Sequence, residues 1–145
     1  MPSHEAYIAF LGQLTATLDE LTAIEKKKTD AVRRDDLDAL NECMKQEQAQ
    51  SLALRAMDQK RIKLLKELGL ESVTLADFAS RCPEELRPEA RAATEKLRGS
   101  YAIYRSAADL AQHTLEQNLR QIDAYLTEKG GEPPAEDRGV RDVRV

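Results

Sequence analysis

The sequence contains no tryptophan, and aromatic residues make up only 4% of its 145 residues. Sheet cores draw heavily on aromatic and β-branched side chains, whereas 33% of this chain is Asp, Glu, Lys or Arg. This composition predicts an all-α fold, in the form of an elongated helical bundle or coiled coil.

The chain also lacks any run of about 18 apolar residues, so no transmembrane helix is predicted. Residues 1–5 contain no basic segment leading into an apolar stretch, which a secretory signal would require. The net charge is -4, whereas proteins that bind nucleic acid carry a basic surplus. We therefore expect a cytoplasmic protein that neither inserts into membranes nor binds nucleic acid.

The sequence shows no constellation of residues suited to catalysis or metal binding. Cys43 and Cys82 are far apart, form no C-x-x-C motif and have no histidine at ligand spacing, so they are expected to be ordinary thiols. His4 and His113 are isolated, and no nucleophile is paired with a base. We predict no enzymatic activity, no cofactor and no metal.

Two long amphipathic helices are predicted first, at residues 3–33 and 36–68. Ser3 is placed to cap the first helix, and Gly69 to end the second. Apolar residues at steps of three and four line both: Tyr7, Leu11, Leu14, Leu18 and Leu21 on the first, and Leu37, Leu40, Met44, Leu54, Leu65 and Leu68 on the second. The second helix would be about 50 Å long, and we predict that it is the element around which the chain is organised.

The short turn at residues 34–36 predicts an antiparallel hairpin of these two helices. The expected register places Leu14 opposite Leu54 and keeps Glu47 away from residues 26–28. The three lysines at 26–28 are interpreted as exposed cations that favour the C-terminal end of the helix dipole.

A short helix at about residues 75–81 and a long one at about 88–128 are predicted to follow. Thr74 resembles the first residue of a capping box, and the neighbouring Val73, Leu75 and Phe78 are expected to fold back on the open end of the hairpin. Gly99-Ser100 is a site for a bend or break. Residues 1–129 thus form one helical domain, and residues 130–145 a flexible tail.

The last helix carries a second apolar row beside the first. Two rows exceed what one hairpin groove covers, so we predict that part of this surface binds a partner. The candidate partner-binding residues are Ile103, Leu110, Leu115, Leu119, Ile122 and Leu126.

The order of these features resembles the FlgN family of flagellar type III export chaperones. The features that carry the resemblance are Ala31-Val32-Arg33-Arg34-Asp35-Asp36-Leu37, Leu40, Glu47, Arg61, Leu64-Leu65, Leu68-Gly69, Thr74-Leu75 and a long leucine-bearing last helix. The family often has two asparagines three apart before a leucine in that helix, whereas this chain has Tyr104 and Ala107 before Leu110.

The resemblance implies a cytoplasmic chaperone that binds the helical termini of hook-associated proteins, the proteins of the hook-filament junction. It would keep them unassembled and deliver them to the export apparatus without ATP chemistry of its own. Two alternatives stay open from the residues: a self-associating helical bundle, such as a homodimer, and a non-catalytic coiled-coil scaffold.

Overall fold

The computed structural model describes the backbone of residues 3–130 and the side chains of residues 3–128. Within this range the fold is all-α, as predicted, and has no strand. Its elements are α1 (His4–Arg33), α2 (Leu37–Glu67), α3 (Leu75–Phe78), two 3-10 turns (Ala79–Arg81 and Glu84–Leu86) and α4 (Arg87–Gly130). The predicted tail lies outside the described residues, apart from Gly130 at the end of α4.

The helix around which the chain is organised is α1, so the prediction that α2 has this role is wrong. α1 packs against both α2 and α4, while α2 and α4 hardly contact each other. Thirteen residues of α1 are buried, but only Cys43 and Leu65 of α2 are. The physical reason is that α1 packs between two long helices, whereas α2 packs against only one long helix, α1. Apolar residues of α2 therefore stay exposed, and Leu37 is 71% exposed.

The turn between α1 and α2 is closed by local hydrogen bonds. The Asp36 N–H donates to the Ala31 carbonyl at 2.9 Å and the Asp35 N–H to that of Val32 at 3.2 Å, with Asp35 at a φ of 55°. This is a Schellman ending, which reverses the chain immediately after a helix. The Asp36 carboxylate then caps α2 by accepting from the Ala39 N–H at 3.0 Å. The predicted antiparallel hairpin is confirmed.

The register of the hairpin is the expected one toward its open end, where the side chain of Tyr7 is also hydrogen-bonded to that of Arg61, but not at Glu47. Leu14 and Leu54 do line one cavity, but Lys28 Nζ also lies 3.3 Å from Glu47 Oε2, two groups that the expected register kept apart. Lys28 is buried rather than solvated. A short turn fixes the direction of pairing, whereas the stagger depends on packing along the whole hairpin.

The segment after α2 closes the open end of the hairpin. Phe78 is 1% exposed, and its ring centroid lies 4.6 Å from that of Tyr7. Thr74 caps α3, since its Oγ1 accepts from the Asp77 N–H at 3.3 Å. The core cluster at this end comprises Tyr7, Phe10, Leu11, Leu18, Leu65, Phe78, Ala79, Cys82, Ala90 and Leu97, with Leu75 packed against it. The predicted fold-back is confirmed for Leu75 and Phe78.

The long helix α4 docks along α1 and runs parallel to it. Phe78, just before α4, lies at the beginning of α1, and Asn118 of α4 lies at the end of α1, where its Nδ2 donates to Asp35 Oδ1 at 3.3 Å. The helix continues through Gly99-Ser100, so the break considered there does not occur. A mid-helix glycine costs about 1 kcal/mol, less than the gain from burying a single large apolar side chain such as Leu97.

Candidate partner-binding site

All six candidate partner-binding residues lie on α4, but the structure does not bring them together on one surface. Their exposed fractions are 58% for Ile103, 47% for Leu110 and 47% for Ile122, while Leu115, Leu119 and Leu126 are half-buried. Four of the six line cavities on two different flanks of α4.

The first flank faces α1 alone. Ile103 and Leu110 line an open cavity of about 550 Å³, which Lys26, Thr29 and Arg33 of α1 complete. We call it the α1–α4 cavity. Thr29 Oγ1 is buried there without a hydrogen-bond partner. This surface is therefore apolar on its α4 side and cationic on its α1 side.

The second flank faces the hairpin turn and α2. Leu115 and Ile122 line a cavity of about 200 Å³ together with Leu37 and Leu40 of α2. Because α2 and α4 hardly contact each other, this surface is open between the two helices. It combines apolar residues from two elements that lie far apart in the sequence.

A third cavity, of about 610 Å³, lies between the same helices farther from the turn. Its lining includes Leu14 of α1, Leu54 of α2, and Leu97 and Tyr101 of α4, of which Tyr101 is 49% exposed. Sequence reasoning placed Tyr101 on the apolar row of α4 but not at a binding surface. The signal available was the pair Leu97 and Tyr101, one turn apart on α4.

A charged layer occupies the middle of the α1–α2 interface. Glu25 is 3% exposed, and its burial, together with a hydrogen bond to Glu47, raises the pKa of its carboxyl from 4.5 to about 8. Burial alone would raise the pKa of Glu47. The hydrogen bond that Glu25 donates and the charge of Lys28 outweigh burial and hold this pKa below its ordinary value. The layer therefore holds one protonated carboxyl, one carboxylate and one ammonium near neutral pH.

The cysteine thiols are a second kind of titratable group in the described residues. Cys43 and Cys82 are free and buried, and burial raises the pKa of both thiols, which makes them poor nucleophiles. Within the described part of the chain, no group of three or more His, Cys, Asp or Glu side chains is arranged to hold a metal ion. None of the helices described is long and apolar enough to cross a membrane.

Most of the chain matches a known protein family. A family model described as "FlgN protein" matches residues 1–127, which is most of the chain. No curated protein matches the chain, and no solved structure matches it.

Proposed function

Because the chain belongs to the FlgN family of flagellar export chaperones, we propose that it binds the helical terminal segments of hook-associated proteins. In this role it holds these proteins of the hook-filament junction unassembled in the cytoplasm. It then delivers them to the type III export apparatus and uses no ATP of its own.

The observation that carries this proposal is that α4 leaves large apolar side chains exposed on two flanks. Ile103, Leu110 and Ile122 are each about half exposed or more, although α4 is already docked on α1. Burying a leucine or isoleucine side chain stabilises by about 1.5–3 kcal/mol. An amphipathic helix from a partner, laid against one of these flanks of α4, would gain part of this energy.

The test replaces Leu119 and Ile122 by serine and measures the binding of a hook-associated terminal segment by calorimetry. Loss of two apolar contacts is expected to weaken binding by well over tenfold, with little change in thermal unfolding. Leu52→Ser is the control, since Leu52 is 62% exposed on α2 and this variant loses an apolar side chain outside the candidate set. If the double variant unfolds the free protein, the two residues belong to an internal core and the proposed surface is wrong.

A self-associating bundle is the second candidate, and the exposed apolar side chains of α2 favour it. Leu37, Leu52 and Ile62 are 71%, 62% and 49% exposed, so a second copy would find apolar side chains there. Analytical ultracentrifugation decides between the two. A monomer over a wide concentration range rejects self-association, and a dimer dissociated by Leu52→Ser with Ile62→Ser supports it.

A further inference from the structure

α2 and α4 both pack on α1 but hardly on each other, and this leaves a groove between them. We call it the α2–α4 groove. Two of the cavities described above lie in it, because both are lined by all three helices. Leu37 and Ile122 mark the end at the hairpin turn, and Leu54 and Tyr101 mark the other end.

The length of the groove matches one helix. The two cavities are separate, and the α2 residues that line them lie between Leu37 and Arg61, a stretch of about 36 Å at about 1.5 Å per residue, or a helix of about 24 residues. Met44 and Ile62, which are 38% and 49% exposed, add apolar surface to α2 at or near this stretch. Three helices with one open edge become a four-helix arrangement when a further amphipathic helix is added.

Charge distinguishes the two ends of the groove. Arg55 and Arg61 of α2 and Arg98 of α4 line the end remote from the turn, with Asp58 as the one acidic residue. Arg61 pairs with Asp58 at 3.2 Å, but neither Arg55 nor Arg98 has an ion-pair partner within residues 3–128. In a chain with a net charge of -4, this is a local surplus of positive charge on two facing helices.

We infer that the α2–α4 groove binds one amphipathic helix of the exported partner, with its apolar face on Leu54 and Tyr101 and its carboxylates beside Arg55 and Arg98. The inference rests on the proposed function, namely that this chaperone binds a helical segment. It selects one flank of α4 and leaves the α1–α4 cavity, with Ile103 and Leu110, outside the contact.

The test reverses the charge of the two unpaired arginines, as Arg55→Glu with Arg98→Glu. Both side chains are exposed, so folding is expected to be unchanged. The probe is a labelled hook-associated terminal segment, whose binding is followed by fluorescence anisotropy. Binding is expected to weaken at least tenfold, and a probe in which lysine replaces the acidic residues is expected to recover affinity for the double variant.

Lys26→Glu with Arg33→Glu is the matched control. It makes the same change in net charge with two exposed residues of the α1–α4 cavity, and its binding is expected to stay within a few-fold of the unmodified protein. An equal loss of probe affinity in both double variants would indicate that the basic residues act only by long-range electrostatic attraction, and it would overturn the inference. Loss in the control alone would place the partner on the α1–α4 cavity and would also overturn it.

Three further outcomes separate the inference from the proposed function. If the unmodified protein binds the probe and Arg55→Glu with Arg98→Glu leaves the affinity unchanged, the groove assignment is wrong while the function stands. The same holds if these substitutions dissociate a homodimer without affecting probe binding, since a second copy then occupies the groove. If the unmodified protein does not bind the probe, the proposed function itself fails, and the inference with it.

Discussion

Lys28 on α1 and Glu47 on α2 form an ion pair across the hairpin, with Nζ 3.3 Å from Oε2. The same ammonium lies 4.0 Å from Oε2 of Glu25. Two carboxyl groups thus share one lysine in a largely buried layer. Only one of the two is ionised near neutral pH, because burial disfavours a second negative charge.

We predict that Glu25 makes the protein less stable as the pH rises. Its pKa is raised from 4.5 to about 8 in the folded state, so the folded protein binds more protons than the unfolded one between these values. The contribution of Glu25 to the free energy of unfolding is therefore present in full below pH 4.5 and is lost as the pH rises to about 8. Glu25→Gln keeps the shape and a hydrogen-bond donor, and it is expected to flatten this dependence in urea unfolding at about pH 5 and about pH 9.

Glu20→Gln is the control for that measurement, because Glu20 is exposed on the same helix. The charged groups that act on Glu25 are Glu47 on α2 and Lys28 on α1. Glu25 in turn acts on Cys43 of α2 and Tyr104 of α4, and all four residues are retained in both variants. An unchanged slope in Glu25→Gln would show that Glu25 is ionised in the folded protein.

Gly99→Ala is predicted to stabilise the protein by about 1 kcal/mol, because alanine has the higher helix propensity. Gly99 lies inside α4, and a Cβ at this position would meet no other atom within 4 Å. Chemical unfolding of the variant measures the effect. Destabilisation would indicate that α4 departs from regular helix at this glycine.

Gly69→Ala is predicted to do the reverse and destabilise by about 1 kcal/mol. Gly69 has a φ of 72°, in the left-handed region that a side chain disfavours, at the end of α2. The space around it is equally open, so the comparison with Gly99→Ala isolates backbone conformation from packing. Equal unfolding free energies for the two variants would contradict this explanation.

Phe78→Ala is predicted to destabilise by about 3–5 kcal/mol. The ring is 1% exposed and contacts Tyr7 at the open end of the hairpin. Leu75→Ala, at a half-buried position on the same short helix, is expected to have a smaller effect. A loss for Phe78→Ala no larger than that for Leu75→Ala would show that the segment after α2 does not close the core.

The features predicted correctly from the sequence are those that local chemistry determines. Ser3 and Thr74 cap helices with their own side chains. Gly69 ends α2 because its own backbone adopts the left-handed conformation. The burial of Lys28 was not predicted, because a charged residue interrupting an apolar row has the same pattern whether it faces solvent or an opposite charge. It becomes visible only once the stagger of the hairpin brings Glu47 to it.

The candidate site was predicted only as a set of positions on one helix. Ile103 and Leu110 turn toward the α1–α4 cavity, while Leu115 and Ile122 turn toward α2. The spacing of these residues in the sequence gives their angular positions around the axis of α4, but it does not tell which side of α4 packs against α1. That direction is set by contacts between segments about 80 residues apart.

The central position of α1 has a consequence for the order in which the chain folds. α1 leaves the ribosome before both of the helices that cover it, so its apolar residues stay exposed until α4, the last to be made, has docked. The hairpin of α1 and α2 can form early through its local turn, but the contacts between α1 and α4 close a long loop and so form more slowly. A chain that ends at Gly69 is therefore expected to aggregate, with Tyr7 and Leu11 still uncovered, whereas the chain through α4 stays in solution.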